Sequence, residues 1–158
     1  MTKELKQEYT LRITQANKTQ LITILYEMTL LYIDDAKEAL FSGKRDDFKN
    51  AVRRIQGCMC ELMDSLNLEY EIAQNLLQLY LYINREVASA ALHNNSENLE
   101  HVRPIVEKLA AAYRQIESQD VTGPVMGNTQ TVYAGLTYGK DNLTESMADP
   151  AANRGFFA

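Results

Sequence analysis

The segment Leu21–Leu40 constrains the fold most, because its apolar side chains exceed what one buried helix face requires. Its sequence, LITILYEMTLLYIDDAKEAL, predicts a helix with a central apolar stripe along its whole length. A second row, formed by Ile24, Met28 and Leu31, widens that stripe on one flank. An ordinary surface helix has an apolar stripe about 100° wide, and this one covers about twice that angle. The helix must therefore be buried on two sides by its own chain, or keep one side for a partner.

Composition and charge limit the class of protein. A chain of 158 residues can form one domain with its own core, and its net charge of −5 argues against nucleic-acid binding. The first residues, MTKELKQEYTLRIT, lack the apolar core of a signal peptide, and no run approaches the roughly 18 apolar residues of a membrane span. Cys58 and Cys60 would lie about 200° apart on a helix and could not bridge each other. The sequence predicts a soluble cytoplasmic protein with reduced thiols and no membrane insertion.

Four helices are predicted between residues 17 and 117. The first begins after Asn17, which stands three residues before Gln20 at the spacing of a capping box, and it ends before Gly43. The second helix, with Asp46 as its expected cap, carries one apolar stripe that ends near Asn67.

The fourth helix is predicted to begin after a polar turn. Asn94 stands at capping-box spacing from Glu97, and the apolar pattern then continues to about residue 117. Pro104 falls inside this helix, where it removes one backbone hydrogen bond and predicts a kink.

The third helix, Glu69–Leu92, shares the apolar surplus of the first. Its regular core stripe is predicted to consist of Ile72, Leu76, Leu79, Ile83, Val87 and Ala90. A second row, about 140–200° around the helix, consists of Leu77, Leu81, Ala88 and Leu92. Two helices with second apolar rows in one short chain indicate a groove for a partner.

Both ends of the chain differ from the helical region. Residues 1–16 have only isolated apolar side chains, which suits an arm lying across an apolar surface, and residues 119–158 hold five of the seven glycines and two of the three prolines. We therefore expect an all-α fold: an antiparallel up-down four-helix bundle over residues 17–117, with an N-terminal arm over 1–16 and a largely irregular C-terminal tail over 118–158. The tail is expected either to stay flexible or to dock on the bundle as a strap.

No catalytic or metal site is predicted. Neither His93 nor His101 follows a glutamate by three residues, which is the spacing that di-iron bundles use. The sequence has no glycine-rich phosphate loop, nucleophile elbow or Cys/His dyad. We expect neither enzymatic activity nor a bound cofactor.

Tyrosine is unusually frequent, with nine tyrosines and no tryptophan. Tyr26, Tyr32, Tyr80 and Tyr82 lie on the two helices with second apolar rows, where a rigid ring with a polar end suits a half-buried groove. Burial in the core is the alternative for each of them, and the sequence leaves both open.

Several short motifs, in the same order, resemble those of the flagellar secretion chaperone family FliS. The motifs are Ala16-Asn17, Leu21-Ile22 and Leu25-Tyr26-Glu27 in the first helix, and Ile72-Ala73-Gln74-Asn75-Leu76 with Leu79-Tyr80-Leu81-Tyr82 in the third. Leu99, Val102, Ile105-Val106 and Leu109 resemble the last helix of that family. Lys18 replaces the proline that usually opens the first helix, and Tyr113 replaces a tryptophan. The resemblance covers roughly residues 9–116.

The resemblance implies a function. FliS proteins are small cytoplasmic bundles that bind the disordered C-terminal segment of flagellin, keep it monomeric and help to deliver it to the type III export gate. In that family an N-terminal arm with a tyrosine, here Tyr9, can cover part of the site when no client is bound. The expected partners are thus the flagellin C-terminal segment and the flagellar export gate.

The residues predicted to bind the partner come from both helices with surplus apolar surface and from the arm. They are Ile24, Met28 and Leu31 on the first helix, Leu77, Leu81 and Leu92 on the third, and the family-matched Tyr9, Tyr26 and Tyr80. The chain is expected to be a monomer or a weak homodimer. The alternative function is a homodimeric helical-bundle adaptor that uses the same surface and has no flagellin client.

Overall fold

A computed structural model describes residues 1–126, and those residues form five helices without a strand. The helices are α1 (Lys3–Gln15), α2 (Lys18–Phe41), α3 (Arg45–Asp64), α4 (Glu71–His93) and α5 (Glu97–Glu117). The prediction of an all-helical chain is confirmed for this part. Most of the predicted irregular tail, residues 127–158, lies outside the described residues.

Helix α1 was predicted only as an arm. Thr2 caps it by accepting a hydrogen bond from the Leu5 backbone N–H at 3.3 Å. Leu5, Tyr9 and Ile13 recur every fourth residue, so one face of the helix is apolar and packs on α2. An isolated helix of 13 residues is marginal in water, so the packing on α2 stabilises α1. The sparse apolar pattern of residues 1–16 did not predict this helix.

The predicted boundaries of α2 are confirmed. The Asn17 side chain accepts from the Gln20 N–H at 2.9 Å, while the Gln20 side chain accepts from the Asn17 N–H at 3.0 Å, which completes the capping box. Beyond Phe41 the chain turns at Gly43, whose φ of +69° is a conformation that glycine adopts without a steric penalty.

Two of the predicted caps are wrong. Lys44 precedes α3 at the N-cap position, and Asp46 lies inside the first turn, where its charge still complements the helix dipole. Asn94 does not cap α5; it ends α4 in the left-handed conformation, with φ of 53°. Ser96 precedes α5 instead, and the Asn95 side chain accepts from the Glu97 N–H at 3.2 Å.

Helices α2 to α5 surround the main core. Helix α2 packs against α3 and α5, and α4 packs against the same two helices, so the four form a closed ring of neighbours. Fully buried side chains from each of them fill the centre, among them Ile33, Ile55, Met59, Ile83, Val87, Val102 and Val106. Pro104 lies within α5, which nevertheless runs as one helix from Glu97 to Glu117. Ile72 was assigned to this core, but it is 67% exposed because it lies in the first turn of α4, at the end of the ring.

Candidate partner-binding site

The second apolar row of α2 is covered by α1. Ile24 is 2% exposed and packs with Tyr9 and Ala16, while Met28 and Leu31 are partly buried at the edge of the same cluster. Met1, Leu5, Ile13 and Leu21 complete this cluster, which we call the α1–α2 patch. Three residues predicted to face a partner therefore face the N-terminal helix of the same chain in this structure. Their role in partner binding stays a prediction.

A polar network closes the same patch at one edge. The carboxylate of Glu27 accepts hydrogen bonds from the Tyr9 hydroxyl at 3.2 Å and from the Arg12 guanidinium at 2.7 Å. Arg114, on α5, donates to the other carboxylate oxygen at 3.1 Å. The Arg12 guanidinium also lies over the Tyr9 ring, 4.9 Å from its centroid. Glu27 thus ties α1 to α2 and to α5, and we call this network the Glu27 latch.

The latch perturbs the pKa values of its members. Burial raises the pKa of Glu27, but hydrogen bonds from Arg12 and Arg114 outweigh burial and hold it below the ordinary value. Burial, together with the Glu27 carboxylate, raises the pKa of Tyr9. The latch therefore consists of an ionised carboxylate and a neutral tyrosine at neutral pH. Glu27 belongs to the Leu25-Tyr26-Glu27 motif, but the sequence did not predict its partners, because Arg12 and Arg114 lie on other helices.

We expect Glu27→Gln to loosen α1 without unfolding the rest of the chain. Hydrogen bonds to charged groups contribute about 1.5–3 kcal/mol, so amide exchange in α1 should accelerate about ten- to a hundredfold. Amides in the centres of α2 to α5 should exchange at unchanged rates, because their packing does not depend on the latch. The measurement is hydrogen exchange followed by mass spectrometry. Glu107→Gln, which removes an exposed carboxylate paired with Arg103, is the matched control. Equal acceleration in all five helices would contradict a local latch.

The same variant gives a pH dependence. Because the pKa of Glu27 is lowered by folding, its stabilisation is present above the ordinary pKa and is lost as the pH falls through the lowered value. The difference in α1 exchange between wild type and Glu27→Gln should thus persist at pH 7 and narrow below about pH 4. A difference that is constant from pH 7 to pH 3 would show that the charge of Glu27 has no part in holding α1.

Tyr26 and Tyr80 lie in the core. They are 0% and 1% exposed, their hydroxyl groups share a short hydrogen bond, and the Tyr113 ring packs edge-on against Tyr26 at 5.4 Å between centroids. Burial raises the pKa of Tyr26 and raises that of Tyr80 to about 12. The sequence left open whether these tyrosines line a groove or lie in the core, and in this structure they lie in the core. A contact with a partner would require the bundle to open.

The second row of α4, by contrast, reaches the surface. Leu77 is half-buried, Leu81 is 39% exposed and Leu92 is 77% exposed. Leu81 and Ala88 line a groove between α3 and α4 with Cys60 of α3. In the same groove the Asn84 side-chain oxygen is buried without a hydrogen-bond partner among the described residues. The second row of α4, which we call the α4 row, is therefore an open apolar strip. Beside it, the Asn84 side-chain oxygen receives no hydrogen bond from the described residues.

Residues 1–126 also bear on two other kinds of site, a metal centre and a membrane span. No group of three or more histidine, cysteine, aspartate or glutamate side chains in that range is arranged to hold a metal ion. Within the same range, no helix combines the length and the apolar character needed to cross a membrane. Cys58 is buried and Cys60 is exposed, and both are free thiols.

A helical bundle with a covered apolar patch and an open apolar strip is typical of proteins that bind other proteins. Comparison with known families agrees: the family model described as "Flagellar protein FliS" matches residues 1–120, so the chain belongs to the FliS family. It is 26% identical over 110 residues to the flagellar secretion chaperone FliS of Escherichia coli (strain K12), covering 65% of this chain and 78% of that relative.

Proposed function

We propose that this protein is a flagellar export chaperone that binds the C-terminal segment of flagellin and keeps it from polymerising. Two observations support the class of function: the match to the FliS family and the similarity to a relative described as a flagellar secretion chaperone. A flagellin client, contact with the export gate and a cytoplasmic location are parts of the same proposal.

We further propose that α2 to α5 form an antiparallel up-down bundle, with residues 17–117 as the chaperone domain. The closed ring of helix contacts and the short connections between successive helices support this arrangement. The N-terminal helix and the tail after residue 118 would then be attachments that regulate access to the bundle.

The observation that carries the proposal is the packing of α1 on the second apolar row of α2. This helix of 13 residues packs Leu5, Tyr9 and Ile13 against apolar side chains of α2, and an incoming client helix would bind there in the same way, by helix-in-groove packing. A client helix of similar pattern could replace α1, because the gain from its apolar face would offset the loss of the Glu27 latch. At rest, α1 would prevent the patch from binding other apolar segments.

The open α4 row supplies a second contact surface on the far side of the ring from α2. A client that contacts both the α1–α2 patch and the α4 row must wrap around the bundle, and an unstructured segment can do so. Ordering that segment on binding costs free energy, so affinity would be spread over a large surface. Met28 and the leucines of α4 have flexible or branched apolar side chains that adapt to such a ligand.

The proposal is tested by mixing the full-length protein with a peptide of the flagellin C-terminal segment from the same organism. Light scattering after size-exclusion chromatography should show a 1:1 complex, and titration calorimetry should show saturable binding with a negative heat-capacity change. A peptide of the same composition in scrambled order is the control. A stable homodimer that does not bind the flagellin peptide would contradict the proposal and favour the adaptor function.

A further inference from the structure

An apolar cavity of about 230 Å³ lies at the end of the bundle where α2 begins and α5 ends. Its apolar lining includes Ile22, Leu66, Tyr70, Ile72, Leu76 and Tyr113, and we call it the end cavity. Lys18 is its one charged lining residue among the described part of the chain. Two of its lining residues, Tyr70 and Ile72, are 63% and 67% exposed, so the described part of the chain leaves these large apolar side chains uncovered.

The chain beyond α5 is anchored beside this cavity. The Asn17 side-chain amide donates to the backbone oxygens of Asp120 and Thr122, each at 3.3 Å. The Thr19 hydroxyl donates to the Asp120 carboxylate at 2.5 Å, and the Val125 N–H donates to the Ala16 carbonyl at 2.8 Å. Hydrogen bonds from Thr122 and Thr19 lower the pKa of Asp120 to about 2, so its charge persists through the physiological range.

This anchor sets where the following residues start. Thr19 belongs both to the anchor and to the lining of the end cavity, and the Val125 N–H is held by Ala16, two residues before Lys18 of that lining. An extended chain spans at most about 3.3–3.6 Å per residue, which places Val132 within about 20 Å of Met126 and Tyr138 within about 45 Å. The sequence after the anchor can therefore reach the cavity without disturbing any helix.

The composition of that sequence matches the cavity. From Val121 to Gly139 the chain has no charged residue, and the first apolar group after Met126 is the segment VYAGLTY, residues 132–138. Tyr133, Leu136 and Tyr138 provide two rings and one aliphatic side chain for an apolar cavity that already contains the rings of Tyr70 and Tyr113. The family match ends at residue 120, so this segment lies beyond the part of the chain that the family model describes.

We propose that residues 132–138 bind in the end cavity of the same chain and cover Tyr70 and Ile72. A tethered segment of this length has an effective concentration in the millimolar range, well above the concentration of a second copy or of a free partner. The tail therefore occupies the cavity first, and any other apolar segment must displace it. This proposal does not depend on flagellin binding, because its occupant and its site belong to the same chain.

Photo-crosslinking of the full-length protein tests the contact directly. With benzoylphenylalanine in place of Tyr70, irradiation should join position 70 to residues 132–138, as located by mass spectrometry of tryptic peptides. Benzoylphenylalanine in place of Phe41 is the control, because Phe41 is exposed at the opposite end of α2, which is roughly 36 Å long. Mixing chains labelled with ¹⁴N and ¹⁵N distinguishes crosslinks within one chain from those between two chains.

A pair of matched tail variants provides the second readout. The full-length triple variant Tyr133→Ser, Leu136→Ser and Tyr138→Ser should lower the crosslink yield at least about tenfold and shift the ¹³C-methyl NMR signals of Ile22 and Ile72. The double variant Phe156→Ser and Phe157→Ser removes a comparable apolar group from the end of the tail and should change neither.

Three results would overturn the proposal: methyl signals that are identical in wild type and the triple variant, crosslinks that join two different chains, or crosslinks to residues 156–157 instead. The second result would assign the cavity to a homodimer contact. These measurements contain no flagellin, so a result that overturns the tail proposal does not bear on the proposed chaperone function.

Discussion

Replacing Leu81 with glutamate should lower flagellin affinity by about a hundredfold or more while leaving the fold intact. Leu81 is 39% exposed in the open α4 row, so a carboxylate there can remain hydrated in the free protein. When a client helix covers the row, that carboxylate loses its water without gaining a partner, and an uncompensated buried charge costs several kcal/mol. Calorimetry with the flagellin peptide measures the affinity, and urea unfolding measures the stability.

Gln115→Glu is the matched control for this experiment. It adds the same negative charge at an exposed position on α5 that is not part of the α4 row. Its flagellin affinity should stay within about twofold of wild type, because a surface charge outside the contact acts only through screened long-range forces. Unchanged affinity in Leu81→Glu would remove the α4 row from the proposed binding surface. A large loss of stability would instead show that Leu81 belongs to the core.

The equivalent change on α2 has a different expected outcome because of α1. Leu31 packs at the edge of the α1–α2 patch, so Leu31→Glu would release α1 as well as disfavour a client. Its effect on affinity would therefore combine two opposing contributions. Leu81 is the better probe of partner binding, and Leu31 is the better probe of how α1 is held.

Tyr26→Ala should destabilise the fold by about 3–5 kcal/mol, a large part of the roughly 5–15 kcal/mol that stabilises a typical domain. Tyr26 is 0% exposed, and its ring contacts those of Tyr80 and Tyr113, so truncation leaves a cavity among three aromatic rings. The midpoint of urea unfolding should fall at a constant slope, as expected when stability changes and the exposed surface does not.

Tyr26→Phe separates the ring from the hydroxyl group. It keeps the packing and removes the hydrogen bond to Tyr80, so we expect a loss of about 0.5–1.5 kcal/mol and unchanged flagellin affinity. If Tyr26→Ala cost less than about 1 kcal/mol, the three-ring core would be refuted. If Tyr26→Phe weakened flagellin binding tenfold at unchanged stability, Tyr26 would contact the client, as predicted from its sequence motif.

Local features of the fold were predictable from the sequence. The capping box at Asn17 and the stop at Gly43 involve residues only a few positions apart, so their chemistry appears directly in the chain. Helical periodicity likewise identified the second rows of α2 and α4. It did not identify α1, which is stabilised by contacts of its few apolar residues with α2. The caps of α3 and α5 were predicted at the wrong residues, because several polar residues lie at similar spacing before each helix.

The candidate site could be predicted only in part. The second rows were predicted as surface for a partner; Leu81 and Leu92 are exposed, whereas Ile24 is buried against α1, and the role of these residues in partner binding stays a prediction. The Glu27 latch was not predicted, because it joins Arg12, Glu27 and Arg114 from three helices. Exposure of Ile72 was also missed, because helical periodicity does not show that α4 begins at the open end of the ring.

The sequence by itself determined which side chains share a helix face, and thus that α2 and α4 each have more apolar surface than one core contact requires. Only the tertiary structure decided what covers each face: α1 lies over the row on α2, solvent reaches the row on α4, and Tyr26 and Tyr80 meet in the core. The reason is physical. Periodicity depends on neighbours three or four residues apart, whereas burial depends on contacts between helices that are distant in the chain.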